Sequence, residues 1–81
     1  MVTIYTKDTC PYCHKALALL DSLKVEYKNI DVTHNPEKLQ EAIAKSGFTT
    51  VPQIFANGKC LGGYDDIYKL HTAGKLLDFI K

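Results

Sequence analysis

The chain has little of what marks membrane, nucleic-acid-binding or multidomain proteins. Its longest apolar stretch, Ala16 to Leu20, is far too short to span a bilayer. The net charge is only +1, and acids and bases are interspersed without a basic stripe, so neither a nucleic acid nor a membrane is expected as the main partner. No linker, repeat or low-complexity segment interrupts the sequence, which predicts one small domain over residues 1–81.

Cysteine is also scarce, with three residues in the chain, and no charged-then-apolar leader precedes the first predicted strand. An odd cysteine count without a secretory signal favours the cytoplasm, where closely spaced cysteines are redox or metal groups rather than structural staples. A structural zinc site usually takes four ligands as two Cys or His pairs. Because neither Cys60 nor any histidine supplies a second pair at ligand spacing, we expect no metal.

Cys10 and Cys13 begin an apolar helical segment, with Pro11 between them at the first helical position. A thiol at a helix start faces unpaired backbone N–H groups and the positive end of the helix dipole. Both favour the thiolate, which is the nucleophilic form. A spacing of three residues is just under one helical turn. Cys13 therefore lies on the same side of the helix as Cys10 and can close a disulfide with it. The pattern predicts a redox-active dithiol, and two reduced cysteines that merely pack in the core are the plain alternative.

Hydrophobic periodicity and turn residues predict alternating strands and helices. The predicted strands are 2–6, 25–32, 53–56 and 59–61. The predicted helices are 11–23, 36–46 and 67–80, the last capped by Asp65 or Asp66 and interrupted near Gly74. Asn57-Gly58 is a two-residue hairpin turn. The order βαβαββα predicts an α/β fold, a small four-stranded mixed sheet with helices on its faces.

Two further motifs each allow a structural and a functional interpretation. Thr50-Val51-Pro52 is either a strand start that tolerates proline or a cis Val51–Pro52 turn that presents the Val51 backbone to an extended substrate. Gly62-Gly63-Tyr64-Asp65-Asp66 is a turn with a helix cap. It is also a candidate anion site, where backbone N–H groups hold a carboxylate and Asp65 or Asp66 accepts from a ligand ammonium. That combination suits an amino-acid-like group.

Taken together and in this order, the three motifs resemble those of a dithiol glutaredoxin of the bacterial type, over essentially the whole chain. The resemblance implies a thioredoxin-like fold and a disulfide oxidoreductase that uses glutathione as co-substrate, with no bound cofactor. It implies that Cys10 is the nucleophile and Cys13 the resolving thiol, and that Lys7 attracts the glycine carboxylate of glutathione. The implied glutathione-binding residues are Lys7, Tyr12, Thr50, Val51, Pro52, Gly63, Tyr64, Asp65 and Asp66.

The resemblance also implies a monomer that acts on disulfide-bearing or glutathionylated proteins, with ribonucleotide reductase as a family expectation. Many bacterial-type members carry cysteine where Tyr64 stands. The third thiol is instead Cys60, expected to be a strand residue without a catalytic part, with a regulatory or dimer-forming thiol as the alternative.

Three other functions remain open at this point. The first is an iron–sulfur carrier, a dimer sharing a cluster through one Cys10 per chain and glutathione, which Pro11 disfavours because a rigid helix start crowds the cluster. The second is a redoxin reduced by thioredoxin reductase. The tyrosine between the two cysteines, Tyr12, and the turn Gly62-Gly63-Tyr64-Asp65-Asp66 disfavour it. The third is a non-catalytic binding module, which the intact dithiol disfavours.

Overall fold

A computed structural model describes residues 2–80 of the chain. The strands are β1 (Val2–Thr6), β2 (Tyr27–Asp31), β3 (Gln53–Ala56) and β4 (Lys59–Gly62), and the helices are α1 (Pro11–Ser22), α2 (Pro36–Ser46), α3 (Tyr64–Thr72) and α4 (Leu76–Ile80). The sheet order is β2-β1-β3-β4, with β1 and β2 parallel and the other two pairs antiparallel. The predicted mixed sheet and the break of the last helix near Gly74 are both confirmed.

The sheet buries one hydrophobic cluster on each face because neighbouring strand residues point to opposite sides. Ile4 pairs with Ile54 across β1 and β3, and both are fully buried in the cluster that joins α1, α3 and α4. Tyr5 and Phe55 belong to the other cluster, where Ala42 of α2 covers them. Their rings meet edge to face with centroids 5.5 Å apart. The central strands are therefore fixed from both sides, which steadies the loops that leave their ends.

Several boundaries differ from the sequence prediction, and the second strand ends at Asp31 rather than Val32. The second strand begins at Tyr27 rather than Val25, because Lys24 adopts a positive φ of 56° and the Val25 N–H still bonds to the Leu20 carbonyl at 3.0 Å. Helix α1 ends one residue early, at Ser22. Strand β4 runs one residue further, to Gly62.

The Asn57-Gly58 turn is confirmed as a two-residue hairpin. Both residues have positive φ, 53° and 85°, which is the type I′ geometry that matches the twist of paired strands. Ala56 and Lys59 pair directly on either side of it. Within residues 2–80, none of the helices combines the length and apolar character that a bilayer crossing requires.

Candidate active site

Cys10 and Cys13 lie on the same side of the α1 start, as predicted. Cys10 is the N-cap residue and Pro11 occupies the first turn. The Cys13 backbone N–H donates to Cys10 Sγ at 3.2 Å, and Cys10 Sγ lies 3.8 Å from the Val51 carbonyl oxygen. Cys10 is half-buried, whereas Cys13 is fully buried. Only the first thiol is therefore open to a disulfide that approaches from solvent.

The environment of Cys13 favours its neutral thiol. Burial, the hydrogen bond with Cys10 and the Cys10 charge together raise the pKa of Cys13 to about 12, against the lowering effect of a backbone hydrogen bond to Lys7 and of the Lys7 charge. Cys10 therefore raises the pKa of Cys13 in two ways, through its hydrogen bond and through its charge. When Cys10 is held in a disulfide it carries no charge, so its contribution to that shift is lost.

The Val51–Pro52 peptide bond is cis, as the functional interpretation of that motif predicts. Pro52 is buried and Val51 is half-buried. The Val51 carbonyl faces Cys10, as the 3.8 Å distance to Sγ shows. This turn brings the Val51 backbone beside the Cys10 thiol.

Gln53, which the sequence reasoning missed, holds this loop in place. Its side chain is 1% exposed. The Nε2 group donates to the carbonyl oxygens of Phe48 at 2.8 Å and Thr50 at 3.0 Å, and Oε1 accepts from the Ser46 hydroxyl at 2.7 Å. Ser46 Oγ in turn accepts from the Phe48 N–H at 3.0 Å. The available signal was a polar side chain in an otherwise apolar strand, since such a residue needs buried partners.

The glycine turn joins β4 to α3 and corrects the predicted helix cap. Gly63 is the N-cap residue, and α3 begins at Tyr64 rather than after Asp65 or Asp66. Asp66 is the third helical residue, and its Oδ2 accepts from the Gly63 N–H at 3.0 Å. An acid at the third helical position accepts a hydrogen bond from the backbone N–H of the N-cap residue. The acid therefore caps the helix from within its first turn and is not itself the N-cap residue.

Other groups approach both glycines closely, and only Gly62 also has a positive φ. Gly62 has a φ of +104°, and a Cβ there would lie 2.7 Å from Asp66 Cγ. A Cβ on Gly63 would lie 3.3 Å from the Pro52 carbonyl oxygen. The glycine turn therefore packs directly against the cis-proline turn, which places the α3 start beside the backbone of Val51.

These segments enclose one cleft of about 310 Å³, near the lower end of the range for small-ligand sites. Its wall contains every predicted glutathione-binding residue except Lys7, together with Phe48, which was not predicted. Lys7 is half-buried beside the thiols, and its carbonyl accepts from the Cys10 N–H at 3.2 Å. A large apolar residue between the Gly47 helix stop and Thr50 was the signal for Phe48. The lining residues are Tyr12, Phe48, Thr50, Val51, Pro52, Gly63, Tyr64, Asp65 and Asp66.

Cys60 and His14, the histidine that follows the dithiol, are not part of the cleft wall. His14 is exposed on α1, with Nε2 2.9 Å from the Asp8 carbonyl oxygen, as expected for a surface histidine. Cys60 is half-buried on β4 and packs against the cluster that contains Tyr5 and Phe55. Its predicted place on a strand is confirmed, and its expected lack of a catalytic part stays a prediction.

Residues 2–61 match the sequence profile of the family described as Glutaredoxin. The chain belongs to the glutaredoxin family. It is 49% identical over 80 residues to Glutaredoxin 3 of Escherichia coli K12, a match covering 99% of this chain and 96% of that one. It is also 44% identical over 75 residues to a glutaredoxin of Pseudomonas aeruginosa, covering 93% and 89% of the two chains.

Solved glutaredoxin structures share the fold. The solution structure of the Brucella melitensis glutaredoxin has a TM-score of 0.86 at 44% identity and covers 99% of this chain and 87% of its own. A buckwheat glutaredoxin in complex with glutathione has a TM-score of 0.89 at 28% identity, covering 98% and 74%. The thioredoxin-like fold is thus confirmed. The chain is a glutathione-dependent thiol–disulfide oxidoreductase, and these relatives do not favour the iron–sulfur carrier or the thioredoxin-reductase-linked redoxin.

Proposed function

We propose that this glutaredoxin reduces mixed disulfides between glutathione and proteins with Cys10 alone, and protein disulfides with Cys10 and Cys13 together. The observation that carries this division is the contrast between the two thiols. Cys10 is accessible at the α1 start with its sulfur 3.8 Å from the Val51 carbonyl oxygen, whereas Cys13 is fully buried. An attacking thiol needs access, and a resolving thiol needs only its neighbour.

The branch for mixed disulfides uses two exchanges. The Cys10 thiolate attacks the glutathione sulfur of the substrate, so a Cys10–glutathione disulfide forms and the protein thiolate leaves. A second glutathione thiolate then attacks the glutathione sulfur of that intermediate. Glutathione disulfide leaves and the Cys10 thiolate returns. The two electrons that reduce the protein mixed disulfide thus come from the formation of glutathione disulfide. The Cys13 N–H and the α1 N-terminus stabilise this thiolate as attacking group and as leaving group.

The branch for protein disulfides adds Cys13. Cys10 attacks one substrate sulfur and releases the other as a thiolate, and Cys13 then attacks Cys10 to free the substrate and close the Cys10–Cys13 disulfide. In the reduced protein Cys10 helps to raise the pKa of Cys13. Once Cys10 is in the mixed disulfide that part of the shift disappears, so Cys13 becomes easier to ionise at the step that needs it. Two glutathione molecules then reduce the dithiol.

The cleft beside Cys10 is the proposed site of the glutathione part of the substrate. The Val51 backbone pairs with the cysteine portion of glutathione, in the manner of an added strand. The N–H groups at the α3 start hold the γ-glutamyl carboxylate, and Asp65 accepts from its ammonium. Lys7 attracts the glycine carboxylate. Tyr12, Thr50, Pro52, Gly63, Tyr64 and Asp66 shape the walls or support the turn.

The finer assignments follow from the same reasoning. The proposed partners are glutathionylated or disulfide-bearing proteins, with ribonucleotide reductase as one candidate, and the proposed compartment is the cytoplasm. We propose a monomer, since one chain supplies both thiols and the whole cleft wall.

A coupled assay tests this function. The mixed disulfide of cysteine and glutathione is reduced in the presence of glutathione, glutathione reductase and NADPH. We expect turnover by the natural chain, none by Cys10→Ser, and unchanged turnover by Cys60→Ser, the matched control at the third thiol. Turnover that survives in Cys10→Ser contradicts the assignment of the nucleophile.

A further inference from the structure

Three tyrosines and a histidine form a continuous row of rings that starts in the cleft and leaves it along α3. The Tyr64 ring centroid lies 6.2 Å from that of Tyr12 and 5.7 Å from that of Tyr68. The His71 ring follows at 6.4 Å from Tyr68. We call Tyr12, Tyr64, Tyr68 and His71 the aromatic ladder. Its first two tyrosines line the cleft, and its last two residues lie beyond it.

Much of this ring surface faces solvent. Tyr12 is 54% exposed and Tyr68 48% exposed. The Lys15 ammonium lies 5.2 Å from the centroid of Tyr12, so it accompanies only the first ring. An exposed apolar patch that continues a ligand cleft is typical of an interaction site. Tyrosine is enriched at such sites because its ring supplies a large contact area at low entropic cost.

We propose that the aromatic ladder binds the polypeptide part of a glutathionylated substrate, and that it favours an apolar or aromatic side chain near the modified cysteine. This inference rests on the proposed function. The cleft measures only about 310 Å³, so once glutathione lies in it the polypeptide joined through the disulfide lies on the surface outside. Tyr12, two residues from Cys10, lines the cleft with much of its ring exposed, and Tyr64 connects it to Tyr68 outside the cleft.

The charges around the ladder favour an apolar contact over an ionic one. Asp65 lies one turn before Tyr68 on α3, while Lys69 and His71 follow it. Because both signs are present within two turns, a charged side chain of either sign gains little net attraction. Stacking and apolar contact with the exposed face of Tyr68 do not depend on that balance.

The test compares three mixed disulfides with glutathione in the coupled assay. The first is that of free cysteine, the second that of a ten-residue peptide with phenylalanine three residues from its only cysteine, and the third that of the same peptide with serine there. The proteins are the natural chain, Tyr68→Ala, Tyr68→Phe, and Phe79→Ala. Phe79 is the matched control because it is 50% exposed but lies in α4.

We expect Tyr68→Ala to lower kcat/KM for the phenylalanine peptide by about three- to tenfold, mainly through KM. The values for the serine peptide and for the cysteine disulfide should change less than about twofold, and Tyr68→Phe and Phe79→Ala should behave like the natural chain. An equal loss on all three substrates would mean that Tyr68 only supports Tyr64, and it overturns the proposal. So does an unchanged value for the phenylalanine peptide.

The competing occupant is a second copy of this chain. A mass in solution that rises with concentration in the natural chain and not in Tyr68→Ala assigns the ladder to self-association and overturns the proposal. Failure of the proposed function itself is distinguishable, because the natural chain would then not reduce the cysteine–glutathione disulfide at all.

Discussion

The side-chain amide of Gln53 donates to the Thr50 carbonyl oxygen at 3.0 Å, immediately before the turn that presents Val51 to Cys10. The same nitrogen donates to Phe48, so one buried amide fixes two carbonyls of the loop. Gln53→Glu keeps the shape but removes the donor when the carboxyl is ionised. We expect the free energy of unfolding at pH 8 to fall by about 1–3 kcal/mol.

The loss in Gln53→Glu should depend on pH. Burial raises the folded-state pKa of the introduced carboxyl above its unfolded value of about 4.3, so the folded state binds the proton more tightly. Stability is then greatest at low pH and is lost as pH rises through the folded-state pKa. Urea unfolding at pH 5 and pH 8 measures this. Asn29→Asp is the control, since exposed Asn29 only accepts, from the Thr6 hydroxyl. Equal losses in Gln53→Glu at both pH values contradict the donor role.

Cys13→Ser should separate the two branches of the reaction. Because the mixed-disulfide branch uses Cys10 alone, we expect this variant to keep most of its turnover of cysteine–glutathione disulfide. Reduction of a protein disulfide should fall by about tenfold or more, since resolution then depends on glutathione from solution. Both rates come from coupled assays on one preparation. Equal loss of both activities would refute the division of roles.

Alkylation should distinguish the two thiols directly. Burial and the effects of Cys10 raise the pKa of Cys13 to about 12, so very little Cys13 is a thiolate at pH 8, and the thiolate is the reactive form. In a Cys60→Ser background, iodoacetamide at pH 8 should add one label, at Cys10, and a second only after unfolding in urea. Mass spectrometry of peptides locates the label. Equal labelling rates for Cys10 and Cys13 in the folded protein contradict the burial argument.

Substitutions of the adjacent residues Asp65 and Asp66 should have different effects, on substrate binding for Asp65 and on stability for Asp66. Asp66 accepts from the Gly63 N–H, so Asp66→Ala should lower the free energy of unfolding by about 1 kcal/mol, and Asp66→Asn by less. Asp65 is exposed in the cleft wall. Asp65→Asn should leave stability unchanged and raise KM for the cysteine–glutathione disulfide by about two- to fivefold. Thermal unfolding and initial rates decide this, and a reversed pattern would exchange the two roles.

Gly62→Ala should lower the free energy of unfolding much more than Gly74→Ala does, although both glycines have positive φ. At Gly74 an added Cβ meets open space, so the cost is the backbone term of about 1–2 kcal/mol. At Gly62 the Cβ also collides with the Asp66 carboxyl, which must leave its hydrogen bond with Gly63. Urea unfolding of the two variants measures the difference. Similar losses would show that the collision relaxes at little cost.

The sequence was most informative where one residue type satisfies one local requirement. Asn57-Gly58 predicts its turn because both positions need positive φ, and Pro11 predicts the first turn of α1. The Gly63 cap was harder, because an acid can stand at the cap or three residues later, and only the backbone path decides. The roles of Gln53 and Phe48 could not be predicted from the sequence, since Gln53 bonds to carbonyls of a loop and Phe48 lines a cleft formed by segments distant in sequence.

The pairing of β1 with β3 has a further consequence. Residues Val2 to Tyr5 pair with Gln53 to Ala56, and Cys10 follows one strand while Val51 precedes the other. A chain cut in the exposed segment at 34–35 would therefore leave both thiols and Tyr12 in one fragment and the other eight lining residues of the cleft in the second. Turnover would return only as the fragments associate, so glutathione-dependent reduction becomes a direct readout of complementation between the two halves of the protein.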